Sequence, residues 1–261
     1  LKNSSTGHNQ QEPLVAVLFI IRYKSFKPGF LSMALFRLPL WLNKKISFWR
    51  LMGSGRNGTF DIVPDWKQWS IMVVIPKTWI ADRWETISLE KLQRRCLGDI
   101  ISDLISLWNG KVQALLLEPK EGHGLWNGRE VFGPLERKAG DWEGPIAVMT
   151  RATIRLSRAK AFWQHVDQVA RQMAGAPGFI TSYGIGEVPF IKQATFSIWE
   201  SKQAMQAFAY QMHEHREVIK KTYAEKWYSE EMFVRFRIIR TWELPSLEQQ
   251  LGQTANHLPA N

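Results

Sequence analysis

The chain has 261 residues, enough for one large domain or two small ones, and its 45% hydrophobic and 22% charged residues are those of a globular protein. A formal charge of +10 admits nucleic acid, an anionic membrane surface or an acidic protein as partner, but no basic run exceeds a few residues and no nucleic-acid motif is present, so we expect no nucleic acid. Cys96 is the only cysteine, which excludes an internal disulfide and a cysteine-held zinc or iron–sulfur centre. A cytoplasmic protein is expected.

Residues 1–13 are polar and read as a disordered leader. Leu14 to Tyr23 is apolar throughout, as in a strand buried on both faces. Lys27-Pro28-Gly29 turns the chain, and Phe30 to Pro39 reads as a helix ended or kinked at Pro39. This helix is apolar all round. Burial is the ordinary explanation, and a lip that rests in the membrane interface and receives an oily substrate is the functional one. Ser47 to Met52 is a strand running into Gly53-Ser54-Gly55. No Lys-Ser/Thr follows that word, so it is not a phosphate loop. Trp66 to Ile75 is a third strand. Ser88 to Leu107 has helical spacing, with Leu92, Cys96, Ile100, Leu104 and Leu107 as its stripe. Lys111 to Leu117 is a fourth strand.

Residues 14–118 thus form a first unit. Residues 119–144, rich in Gly, Pro and charge, read as a linker that carries a solvated His123. The second unit, 145–244, begins with strand Pro145 to Leu156. Helix Arg158 to Met173 follows, with Phe162, Val166, Val169 and Met173 on one face and His165 packing beside it. Strands Phe179 to Ile185 and Ala194 to Trp199, helix Ser201 to Tyr228 and strand Met232 to Arg240 complete it. Residues 245–261 read as a loose tail. Both units read strand–helix–strand–strand–helix–strand, the ferredoxin-like motif. Gly53-Ser54-Gly55 before Trp69-Ser70-Ile71 parallels Gly184-Ile185-Gly186 before Phe196-Ser197-Ile198. The expected fold class is α+β, two ferredoxin-like repeats packed sheet to sheet as a dimeric α+β-barrel-like pseudo-dimer within one chain.

On a wheel of 3.6 residues per turn, Met205, Phe208, Met212, Ile219 and Tyr223 share a face of the last helix, with His215 at its edge and His213 nearer the polar side. A neutral imidazole on an apolar stripe under a sheet suits an axial haem ligand, and equally a half-buried packing residue. Thirteen tryptophans and fourteen phenylalanines suit a long apolar ligand, and equally fill cores.

The words F-W-R-L-M-G-S-G, T-R-A-T-I, Y-G-I-G-E-V-P-F-I-K-Q-A-T-F-S-I-W and H-R-E-V-I-K-K-T-Y-A-E-K-W-Y-S-E-E-M-F-V-R-F resemble the spheroidene monooxygenase family, the acyclic carotenoid ketolases. The resemblance runs from about Leu14 to Trp242 and is thin between Lys77 and Gly110. It implies a haem b protein that oxidises a carotenoid with O2, by hydroxylation and then ketone formation near the polyene end. Electrons would come from an acidic ferredoxin-like donor, and an oily substrate implies peripheral contact with the inner face of the membrane. The matching histidine is His215, the expected metal ligand, with Met212, Phe208, Ile219 and Trp199 around the cofactor. The family has a Gly/Pro-rich break before this histidine where this chain reads A-F-A-Y-Q-M-H-E-H, so His213 is a rival ligand. A Cys96 thiolate is a further alternative.

Oxygen activation benefits from a polar or cationic group on the open side of the iron. Candidates come from strand alternation: Met149, Arg151, Thr153 and Arg155 share a face of their strand, as do Thr195, Ser197 and Trp199 of theirs, and Arg235 with Arg237 of theirs. Arg151 and Ser197 are the expected catalytic pair. The alternative readings are a haem enzyme of another class, an aldoxime-type dehydratase or peroxidase, and a non-enzymatic lipophile-binding barrel.

Overall fold

A computed structural model describes residues 12–56, 63–80, 84–214 and 227–244, and the backbone alone for 164–168 and 212–214. Every residue of β1 (Leu14–Arg22) from Val15 to Ile21 is buried, as its uninterrupted apolar run requires of a strand covered on both faces. The first repeat continues with α1 (Phe26–Leu35), α2 (Arg37–Leu42), β2 (Phe48–Gly55), β3 (Pro64–Pro76), α3 (Leu89–Leu97), α4 (Asp99–Leu107) and β4 (Lys111–Gly124). The second has β5 (Ile146–Ile154), α5 (Ala159–Ala174), β6 (Phe179–Val188), β7 (Lys192–Trp199), α6 (Lys202–Glu214) and β8 (Tyr228–Trp242).

The strands close into one antiparallel barrel in the order β1-β3-β2-β6-β7-β5-β8-β4. Each repeat contributes the ferredoxin-like order, and the two join along β4–β8 and β2–β6. The expected α+β pseudo-dimer is therefore the observed fold. The β4–β8 joint is long, from Ala114↔Trp242 to Gly124↔Met232. The β2–β6 joint has only Gly53↔Gly186 and Ser54↔Ile185 in register, so the two Gly-x-Gly words matched in the sequence meet here. Inward-facing Leu18, Met72, Leu115, Met149, Phe196 and Phe236 fill the barrel. Outward-facing Val17, Phe19 and Val73 pack under Leu92, Cys96, Ile101 and Ile105 of α3 and α4.

Five expectations change. The helix over Ser88 to Leu107 is broken at Gly98, whose φ of 84° is open to glycine and strained for other residues. The break resets the phase, so Ile101 and Ile105 are buried while Ile100 and Leu107 are exposed. Pro39 does not end a helix: the break falls at Phe36, and Pro39 sits in the first turn of α2, where its missing N–H costs nothing. The expected burial of this segment is not found, because Phe30, Leu38 and Trp41 are exposed. Tyr228 lies not in a helix but at the start of β8. Finally, β4 runs through His123 to Gly124, and Trp126, Val131 and Phe132 pack into the barrel interior. The expected linker is thus part strand and part plug.

Candidate site on the second sheet

The two sheets differ on their helix-facing sides. In the first repeat one continuous apolar cluster covers β1 to β4. In the second, the described residues of the cover fall into two clusters. One cluster joins Ile146, Val148 and Trp199 to Met173, Met205 and Phe208. A separate cluster joins Ile154 and Phe162 to Trp227. Between them Thr150 is exposed, although β5 is flanked by β7 and β8. Thr150 pairs with Thr195 and Phe233, Thr195 with Gly184, and Phe233 with His123. Cross-strand partners share a face. Gly184, Thr195, Thr150, Phe233 and His123 therefore form one row across the sheet. Its first three members carry little side chain; Gly184 is buried, Thr195 half-buried and Thr150 exposed. A signal for this row existed in the sequence: among the outward positions of β5, Ile146, Val148, Thr150, Ala152 and Ile154, only Thr150 is polar.

The walls of this row include two expected cofactor residues. Trp199 is buried, and its ring lies 5.2 Å from that of Phe208 on α6. Ser197 is on the same side, and its hydroxyl accepts a 3.0 Å hydrogen bond from Trp199 Nε1. His215 and Ile219 lie outside the described residues, and of Met212 and His213 only the helical backbone is described. Cys96 is buried under the first sheet, remote from this face, and burial pushes its thiol up to about 12. It is not placed to ligate a cofactor here.

Arg151 does not join Ser197. In the β5–β7 register Arg151 faces Ala194 and Val148 faces Ser197, so the arginine is inward and the serine outward. Arg151 is 1% exposed. Its Nε donates to Glu187 at 3.0 Å, its Nη1 donates to Glu230 at 2.5 Å, and its guanidinium lies over the Trp126 ring. Glu187 also accepts from Trp126 Nε1 and Arg50 Nε. The Glu230 carboxyl is raised by burial, but N–H groups of Gly128, Arg151 and Asn127 outweigh this and hold it below the ordinary carboxylate range. The group ties the plug to the inner mouth of the barrel.

On the helix side the cation at the row is Arg235. Its guanidinium lies 4.8 Å from the Phe233 ring centre, and Nη1 pairs with Glu121. Arg235 Nε is buried and has no hydrogen-bond partner among the described residues. Glu121 also holds Lys202 at 3.1 Å, and both of those side chains are 1% exposed. Burial raises the Glu121 carboxyl, while Arg235, Lys202 and the Ala139 N–H together bring it below its ordinary value. His123 is exposed, as expected, but it stands at the end of β4 rather than in a loop, and it stacks on Phe233 at 5.8 Å. It also lines a cavity of about 190 Å³ with Phe132, Leu135, Met232 and Val234. That cavity sits at the plug, away from Trp199 and Phe208. Among the described residues no group of three His, Cys, Asp or Glu side chains could hold a bare metal ion.

The two joined repeats and the closed strand order define the class of pseudo-dimeric α+β barrels. The aldoxime dehydratase OxdRE, solved in complex with butyraldoxime, shares this fold, with a TM-score of 0.51 at 10% identity over 92% of this chain and 86% of its own. No family model matches. The spheroidene monooxygenase of Rhodobacter capsulatus is 30% identical over 230 residues, 87% of this chain and 91% of that protein. That of Cereibacter sphaeroides is 34% identical over 206 residues, 76% of this chain. The match spans 59% of the Cereibacter protein's length. The chain belongs to the spheroidene monooxygenase family.

Proposed function

We propose that the chain is a haem-dependent monooxygenase that oxidises an acyclic carotenoid with O2, first to an alcohol and then to a ketone near the polyene end. The observation that carries this reading is the Gly184–Thr195–Thr150–Phe233 row beside α6, exposed at Thr150 and half-exposed at Thr195 and Phe233, in a chain of this family. The residues there suit a porphyrin. The row is flat and short of side chain, Trp199 and Phe208 give it an apolar wall, and the buried Arg235 Nε offers a donor to a carboxylate. His215 is the residue that would hold the haem iron, with His213 the rival, and the haem would supply oxygen activation.

The remaining work falls to the chain itself. Trp199, Val148 and Met205 keep water from the sheet side. Ser197 accepts from Trp199 and so keeps its own hydroxyl proton to donate. Arg151, committed to two carboxylates on the other face, has no part in this chemistry. The +10 charge favours an acidic ferredoxin-like electron donor.

The test is an absorption spectrum. Purified chain supplemented with haem should show a stoichiometric Soret band that His215→Ala abolishes and His213→Ala retains, both variants remaining folded. With reductant, donor and labelled O2, the label should enter an acyclic carotenoid. Full haem and full activity in His215→Ala would sink the ligand assignment. No Soret band in the wild type would sink the enzyme reading in favour of a lipophile-binding barrel.

A further inference from the structure

The α1–α2 segment has its apolar residues on the wrong side for a helix that only covers a sheet. Its inward positions are Gly29, Ser32, Phe36 and Leu40, spaced 3, 4 and 4 residues apart along one stripe. Each is locked. A Cβ at Gly29 would lie 2.0 Å from Trp69 Nε1 and 2.5 Å from the Trp66 carbonyl oxygen. Ser32 shares a 2.9 Å hydrogen bond with Tyr23 Oη and donates to the Pro28 carbonyl. Phe36 stacks on Trp108, and Leu40 is buried. The stripe that meets the barrel thus includes a glycine and a serine.

The outward side carries the larger apolar residues. Phe26, Phe30, Leu31, Leu35, Leu38 and Trp41 are all exposed, up to 64% at Phe30 and 70% at Trp41. Nothing among the described residues covers them. Scattered exposed leucines need no explanation, but a contiguous face of this size marks an interaction site.

Charge decides which partner fits. From Pro13 to Phe60 the chain has no Asp or Glu. Lys24, Lys27, Arg37, Lys44 and Lys45 are exposed on or beside the two helices. The α3–α4 pair is a contrast within the same repeat: its exposed Ile100 and Leu107 are accompanied by Glu90, Asp99 and Asp103, which pair with Arg94. A face of Phe, Leu and Trp rimmed only by Lys and Arg is the pattern of a segment lying in the boundary between headgroups and acyl chains. No described helix is long and apolar enough to cross a membrane. We infer that α1 and α2 form a rigid docking face for an anionic lipid bilayer surface, with Phe30, Leu38 and Trp41 entering the acyl boundary and Lys44 and Lys45 meeting the headgroups. This goes beyond the proposed reaction and stands without it.

The experiment is vesicle flotation with the full chain, using phosphatidylcholine alone or mixed with phosphatidylglycerol, at low and high salt. The wild type should float with the mixed vesicles, and salt should reduce the bound fraction. Phe30→Asp with Trp41→Asp should lower binding at least tenfold. Lys44→Glu with Lys45→Glu should abolish the preference for the anionic lipid. These residues are exposed, so all variants should unfold at the wild-type temperature, which separates lost docking from lost fold. Absence of flotation by the wild type overturns the inference, as does equal flotation of the Phe30/Trp41 variant. A wild-type dimer that this variant dissolves, without vesicle binding, would reassign the face to self-association. Retention of an acidic protein on the same residues, again without vesicle binding, would reassign it to a protein partner. Haem binding without vesicle binding sinks only this inference, and the converse sinks only the proposed reaction.

Discussion

Arg151 and Ser197 stand on neighbouring strands, yet one points into the barrel and the other toward the helices. Their substitutions should therefore report on different things. Arg151→Met strips Glu187 and Glu230 of their shared cation in a buried setting, and should cost about 3–5 kcal/mol in urea unfolding. Ser197→Ala leaves Trp199 Nε1 without its acceptor, and should cost about 1–3 kcal/mol. A double mutant with additive losses would confirm that the two do not share a network.

Acid should attack the Glu121 and Glu230 clusters. Both carboxyls are held below their ordinary value of 4.5, so the unfolded chain takes up protons first. Their contribution is fully present above that value and is lost as pH falls through the lowered native range. Thermal unfolding followed from about pH 6 downward should show a falling midpoint. Glu121→Gln should be less stable than wild type near neutrality, with Lys202 losing its buried partner, and should show a shallower acid limb.

Gly98 offers a test of backbone strain alone. A Cβ there would meet nothing within 4 Å, but φ is +84°. With ψ at 167°, Gly98→Ala should cost about 1–3 kcal/mol with no change in the surrounding core. For a chain of this size that is a loss of about 2–12 °C in the melting temperature.

The Cys96 thiol should be silent to alkylating reagents in the native state at pH 8 and react fully in denaturant, since it is completely buried with its pKa raised to about 12. At alkaline pH the sign reverses relative to the carboxylates. The unfolded thiol ionises first, near its ordinary value of 9, so stability is lost as pH rises from there toward 12.

Much of this architecture was legible in the residues. The unbroken apolar run of β1 announced a strand covered on both sides, and the doubled strand–helix order announced the pseudo-dimer. What failed was phase. Trp69-Ser70-Ile71 and Phe196-Ser197-Ile198 look equivalent, yet Ile71 faces the helices and Ile198 faces the barrel interior. A one-residue slip reverses every facing, and only pairing register fixes it. The same blindness put Arg151 beside Ser197. Gly98 was invisible as a helix break because the apolar spacing continues across it. The α1–α2 face was misread because apolarity in a helix does not say which side meets the protein. The histidine assignment rests on family likeness, because His215 lies outside the described residues.

The unequal joints between the repeats give the barrel a hinge and a latch. Along β4–β8 the ladder runs for most of a strand, whereas β2 and β6 touch through the two glycine words and are pinned by Arg50 to Glu187. Deuterium should enter the Gly53–Gly186 amides long before those of Leu115 or Leu116, and the pseudo-dimer should unzip from that edge.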